Sequence, residues 1–166
     1  PYIVGGPIDE PELFFGRESL FEFIKDNLKD NQQVILLHGQ RRIGKSSVLK
    51  QIPNKVNLDD EFVFVPSDFQ DKSQCSLHEI VDGLAKEIVK KLIVEKRIDN
   101  PDQINQTFLD DLEKDLKQDG VKFREFLDQV CEKFGDKKLV LLLDEFDVLD
   151  GENSQSEFED FFRYLN

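Results

Sequence analysis

Apolar positions along this chain fall into two kinds of run. The first kind repeats at helical spacing. Leu20, Phe21, Ile24 and Leu28 share one face, while Glu22, Lys25, Asp26 and Lys29 fall elsewhere, which predicts an amphipathic helix ending at Asp30-Asn31. The second kind is short and continuous. Val34 to His38, Phe62 to Val65 and Leu139 to Leu143 read as strands, the second buried because it is short, β-branched and aromatic and the third central because it is continuously apolar.

Helical stripes lie between the strands. Val48, Leu49 and Ile52 follow the first one, and Pro53-Asn54 is expected to end that helix. Ser76-Leu77-His78-Glu79 fits a capping box, and the helix it opens carries Leu77, Ile80, Val81, Leu84, Ile88, Val89 and Leu92 on one stripe. Phe108, Leu109, Leu112 and Leu116 predict a short helix, and Phe123, Phe126, Leu127, Val130 and Phe134 a further one stopped by Gly135. Phe158, Phe161, Phe162 and Leu165 form a last core-facing cluster. The first sixteen residues hold Pro1, Gly5, Gly6, Pro7, Pro11 and Gly16, a density of breakers that predicts an extended lead-in. Strand, helix, strand from residue 34 to 65 makes a βαβ unit, so a mostly parallel sheet between helical layers is expected.

Length and charge narrow the chemistry. The 166 residues suit one domain with a real core. Lys plus Arg number 22 against 35 Asp plus Glu, for a formal net charge of −13, so general attraction to nucleic acid or anionic lipid is not expected. Any polyanion must be bound locally. Cys75 and Cys131 lie far apart and read as reduced intracellular thiols, while His38 and His78 have no partners at metal-ligand spacing. No apolar run reaches membrane-spanning length and the N-terminus lacks a signal-peptide layout, so the cytoplasm is the expected location.

One local polyanion site stands out. The stretch Gly39-Gln40-Arg41-Arg42-Ile43-Gly44-Lys45-Ser46-Ser47 matches G-x-x-x-x-G-K-[ST], the Walker A or P-loop pattern, and lies between a predicted strand and a predicted helix as that pattern requires. Gly39 and Gly44 let the backbone coil so that N–H groups converge on phosphate oxygens, at the positive end of the following helix. Lys45 supplies a point charge for the outer phosphates, with Arg41 and Arg42 beside it, and the Ser46 hydroxyl suits a magnesium ion. A Gly-rich turn that merely precedes a lysine is the bland competing interpretation.

The strand Leu139 to Leu143 runs into Asp144-Glu145-Phe146-Asp147, as a central strand delivering carboxylates to the same sheet edge would. Asp144 is placed to hold magnesium, directly or through water, and Glu145 to orient and deprotonate the water that attacks the γ-phosphate. A strand that ends in a charged turn is the simpler alternative. Asp147 and Asp150 read as surface groups.

These landmarks together resemble the nucleotide-binding domain of the AAA+/STAND superfamily of P-loop ATPases, in particular bacterial STAND-type or AAA-like ATPases with a G-Q-R-R-x-G-K-[ST]-S loop. Phe15-Gly16-Arg17-Glu18, Gly39 to Ser47 and Leu139 to Glu145 occur in the expected order and span nearly the whole chain. The resemblance implies a three-layer α/β P-loop sandwich of the additional-strand, AAA+-like type. Its parts would be a lead-in loop (1–17), a first helix with the P-loop strand and helix (18–53), a second strand with a helical layer (61–138), and the Walker B strand with its following helix (139–166).

The resemblance also implies ATP and Mg2+ as ligands, Lys45 and Glu145 as catalytic groups, and Phe15 and Arg17 as base-side contacts beside the P-loop residues. It leads one to expect a polar sensor residue on a strand inserted between the P-loop strand and the Walker B strand. No such strand follows Asn166, so an excerpt from a longer chain, incomplete at its C-terminus, is expected. Nucleotide-dependent self-association or effector domains would then belong to the full-length protein. The function expected is an ATP-binding domain that hydrolyses Mg-ATP slowly as a switch in a signalling or assembly ATPase. A non-hydrolysing ATP/ADP switch or scaffold is the main alternative, and an origin-recognition-like ATPase would need DNA contacts from elsewhere. A Ras-like GTPase is disfavoured because Asp144 is not followed by the D-x-x-G pattern.

Overall fold

The computed structural model describes residues 7–32, 34–58, 60–70, 72, 75–95 and 121–146. After a single 3-10 turn at Pro11–Leu13 come α1 (Glu18–Lys29), α2 (Lys45–Val56), β1 (Phe62–Asp68), α3 (Leu77–Val94), α4 (Val121–Phe134) and β2 (Lys138–Asp144). The helices expected around 108–116 and 158–165, together with Asp147 and Asp150, lie outside the described residues.

β1 and β2 pair in parallel, with Phe62 opposite Lys138 and Asp68 opposite Asp144. Side-chain alternation then sorts the core into two. Phe62, Phe64 and Leu142 join Phe14, Phe21, Ile24 and Leu28 and the α2 residues Val48, Ile52 and Val56 on one face. Val63 and Val65 join Phe69, the α3 stripe from Ile80 to Leu92, and Phe123, Phe126, Val130 and Phe134 of α4 on the other. Helices therefore cover both faces of the pair, and strands buried on both sides read as unbroken apolar runs. Backbone groups alternate as well. The Glu61 carbonyl accepts from the Lys138 N–H at 2.9 Å and the Phe69 N–H donates to the Asp144 carbonyl at 3.0 Å, so the odd-numbered residues of β1 turn their peptide groups toward β2. Pro66, with no N–H to give, turns away and costs the ladder nothing.

Three boundaries follow local chemistry. Ser76 and Glu79 form the capping box of α3, with the Ser76 N–H bonded to Glu79 Oε2 at 2.7 Å. Gly135 ends α4 at φ 69°, and α1 gives way at Asp30, before Asn31 at φ 57°. A fourth differs from expectation. Pro53 does not end its helix, and α2 runs on to Val56, which is fully buried. The proline removes one helical hydrogen bond at its own position, but Val56 and Leu58 gain core contacts only if the helix continues.

A second difference concerns the segment expected as the P-loop strand. Residues 34–40 form no strand, and among the described residues the sheet is β1 and β2 alone. Period-two alternation persists there. Ile35 and Leu37 pack against the α1/α2 core, while Val34 and Leu36 are 65% and 82% exposed. An extended segment becomes a strand only when a neighbour takes its peptide groups, and the described residues supply none. The parallel pair joins 62–68 to 138–144 and not to 34–38.

Phe69 caps the α3/α4 core at the C-terminal edge. It is fully buried, meets Phe146 edge-on at 5.7 Å and carries Lys72 Nζ 4.7 Å above its ring. Phe69→Ala should destabilise the domain by about 3–5 kcal/mol, read from urea unfolding. Cys75 and Cys131 are free thiols. Desolvation first, and then the Asp128 carboxylate, push the Cys131 thiol above its ordinary value. The thiolate is the reactive form. Alkylation of Cys131 by iodoacetamide should therefore keep accelerating above about pH 8.5, where an ordinary cysteine is half ionised, and Asp128→Asn should speed it at neutral pH.

Candidate functional site

The site is built on the start of α2. Its apolar stripe, Val48, Ile52 and Val56, is buried against the strands, which fixes the helix axis and aims its first turn at the loop 39–44. Gly44 is the N-cap at φ 94°, in a left-handed conformation that costs a side-chain-bearing residue about 1–2 kcal/mol. It has no side chain to cap the first turn, so the peptide N–H groups that open the helix remain available to an anion. At Gly39 the approach is close, since a Cβ there would stand 3.1 Å from Ile43 Cγ2 and that side chain would have to shift. Between them the loop tightens through an Ile43 N–H to Gln40 carbonyl bond at 3.3 Å, with Arg42 also left-handed at φ 64°.

Cations gather on this loop although the chain is acidic. Lys45 folds back over it, its Nζ donating to the carbonyls of Gly39 at 3.2 Å and Gln40 at 3.4 Å. The side chains of Gln40, Arg41 and Arg42 are exposed, Ile43 is 49% exposed, and Ser46 is half-buried. Arg17 enters from the lead-in. Its guanidinium donates to the Ile43 carbonyl and stands 3.7 Å from the point where a Cβ on Gly44 would lie. Arg17 and the preceding Gly16 are both left-handed, at φ 64° and 81°. Phe15, by contrast, is 84% exposed.

Ser47 stands apart from Ser46. It is buried, and its Oγ accepts the Ile8 N–H at 2.9 Å. One turn further on, the fully buried Gln51 donates from Nε2 to the carbonyls of Ile8 at 3.1 Å and Asp9 at 2.8 Å. Lys50 pairs with Asp9 at 2.7 Å.

The carboxylates arrive on β2. Asp144 and Asp68 end neighbouring strands in register, on the α2 face. Asp144 Oδ1 accepts the N–H of Glu145 at 3.0 Å, and Glu145 is exposed and left-handed at φ 52°. Such a backbone in a glutamate is strained and is the kind of feature that concentrates at functional turns. A cavity of about 350 Å³ lies between Leu49 and Lys50 of α2 and Pro66, Asp68, Leu142 and Asp144 of the strands. It therefore opens one turn beyond Ser46 and not over the loop itself. Ser67, which also borders it, has a buried hydroxyl with no hydrogen-bond partner. Among the described residues no group of three or more His, Cys, Asp or Glu side chains could hold a metal ion by itself.

Sequence reasoning missed Gln51, Asp68 and the contacts of Ile8 and Asp9. Gln51 had a faint signal, a polar residue four after Ser47 beside the apolar stripe of α2. Asp68 was hidden because the apolar run ends at Val65, three residues before it.

A glycine-capped helix start ringed by cations, opposite a strand that ends in carboxylates, defines a nucleotide-binding α/β domain of the P-loop class. The profile of the AAA ATPase domain family matches residues 13–165, and the chain belongs to that family. No curated protein and no solved structure matches it significantly. The domain is thus a nucleotide-binding ATPase domain of the AAA class, and no helix among its described residues is long and apolar enough to cross a membrane. Gly44→Ala, by forcing a Cβ into the left-handed N-cap, should weaken nucleotide binding about tenfold, measured by calorimetric titration.

Proposed function

We propose that this domain binds Mg-ATP on the loop from Gly39 to Ser47 and hydrolyses it slowly, as the conformational switch of a STAND-type signalling or assembly ATPase in the cytoplasm. The observation that carries the reading is the uncapped start of α2 at Gly44, with the Lys45 ammonium drawn over the loop carbonyls where it can turn to a phosphate instead. Gly39 to Gly44 supply backbone N–H groups, Lys45 the charge for the outer phosphates, and Arg41 and Arg42 a positive rim. The contact of Arg17 with Ile43 supports a role on the phosphate side of the nucleotide, which leaves the exposed Phe15 as the base-side candidate.

Ser46 and Asp144 would hold magnesium, and the engagement of Ser47 with Ile8 supports Ser46 as the hydroxyl for that task. Bound magnesium would offset the charge on the phosphate oxygens as the γ-phosphate leaves. Glu145 would orient a water and accept its proton. Its exposed side chain and strained turn support a slow reaction, since the turn must settle before the carboxylate can be aimed. A switch of this kind needs different affinities in its two states and not merely tight binding.

Titration calorimetry with ATP, ADP and GTP, each with magnesium, should show saturable adenine-nucleotide binding that Lys45→Ala abolishes or weakens strongly. Glu145→Gln should keep the binding and lower turnover about 100-fold or more, read as trapped ATP. A folded parent that binds none of the three nucleotides would defeat the proposal. Unchanged turnover in Glu145→Gln would defeat the role given to Glu145.

A further inference from the structure

The lead-in is fastened to the P-loop helix by polar contacts. Three residues on one stripe of α2 hold it: Ser47 takes the Ile8 N–H at 2.9 Å, Gln51 gives its amide to the Ile8 and Asp9 carbonyls at 3.1 and 2.8 Å, and Lys50 pairs with Asp9 at 2.7 Å. Gln51 is the centre of the group, with no exposed surface and with its own Oε1 accepting from Asn54 Nδ2 at 3.3 Å. A buried amide on a core-facing helix is costly unless it is satisfied. Here the groups that satisfy it come from backbone about forty residues earlier in the chain. Apolar contacts tolerate sliding, whereas these contacts fit one register of the strap.

The same strap reaches the loop at its other end. After the turn at Pro11–Leu13, Phe14 enters the core and Arg17 bonds to the Ile43 carbonyl. Residues 8 to 17 thus grip α2 one to two turns past the loop and grip the loop itself just before Gly44.

We infer that Gln51 is a positioning residue that locks the strap 8–17 to the P-loop helix, so that strap order and nucleotide affinity are thermodynamically coupled. The inference rests on the nucleotide reading above. Coupling of this kind is reciprocal: nucleotide on the loop protects the strap, and releasing the strap weakens the nucleotide. Without the Gln51 amide, the Ile8 and Asp9 carbonyls lose their donor and leave the interface for water.

The test uses Gln51→Met, which keeps an unbranched side chain of similar size without the donor. Ile8→Pro serves as a second variant that removes the strap N–H, together with the Ile8 side chain packed on the α1/α2 core, without changing a residue of α2. Hydrogen exchange over residues 7–16 is followed with and without Mg-ATP, beside calorimetric titration well below the unfolding midpoint. The expected result is faster strap exchange and about tenfold weaker Mg-ATP binding in both variants, within the ordinary range of coupling between sites, together with slowed strap exchange in the parent when Mg-ATP is added. A purely structural Gln51 would move the unfolding midpoint and leave the affinity alone, which would overturn the coupling. Parental strap exchange in the variants would overturn the lock. A parent that binds no Mg-ATP defeats the functional proposal as well, and that is seen before any variant is made. If Gln51→Met fails to fold, Ile8→Pro decides the coupling and Gln51→Glu, which keeps the size and loses the amide donor, decides the lock.

Discussion

The seating of α2 is the constraint on which the rest of the site depends. Val48, Ile52 and Val56 bury one stripe of the helix against Phe62, Phe64 and Leu142, and this apolar contact sets the direction in which its first peptide groups point. An anion site made of backbone N–H groups cannot be repaired by a side-chain rotamer. It exists only if the helix is held still. Continuation of α2 through Pro53 belongs to the same logic, because the last turn adds Val56 to the contact.

On the far side of the pair, α3 and α4 supply the complementary burial. Their apolar stripes close over Val63, Val65 and Phe69, so that the two strands are clamped between helices and Asp68 and Asp144 end at the same edge. Asp68 and Asp144 owe their place at one edge to this clamping, which holds the two strands in register. The electrostatics are local. A chain of net charge −13 keeps Lys45, Arg17, Arg41 and Arg42 around one loop, where short distances outweigh the acidic surroundings.

Much of this was legible in the sequence, for identifiable reasons. Strands with helices on both faces show as apolar runs, so Phe62 to Val65, which is buried, and Leu139 to Leu143, where Leu142 is buried and its neighbours half-buried, were evident, as were the capping box at Ser76 and the stop at Gly135. The glycine spacing of the loop and the lysine that follows it pointed to phosphate binding from the sequence alone. Three things were not legible. The state of 34–38 depends on a neighbour, which no local pattern encodes. The length of α2 depended on whether core burial outweighs a proline, which is a tertiary question. The partners of Ser47 and Gln51 come from residues about forty positions away, and a serine within the motif invites a ligand role whether or not its hydroxyl is already engaged.

Pro66 gives the sheet a direction. Of the even-numbered positions of β1, whose peptide groups face away from β2, Phe62 spends its N–H on the Leu58 carbonyl and Pro66 has none. Few donors remain on that margin, and a new strand laid there would meet a broken ladder. The opposite margin, along β2, carries no such block. A strand that extends this sheet would find an unbroken set of backbone donors along β2, which holds no proline, and a depleted set along β1, so that growth on the Asp144 side is the favoured direction.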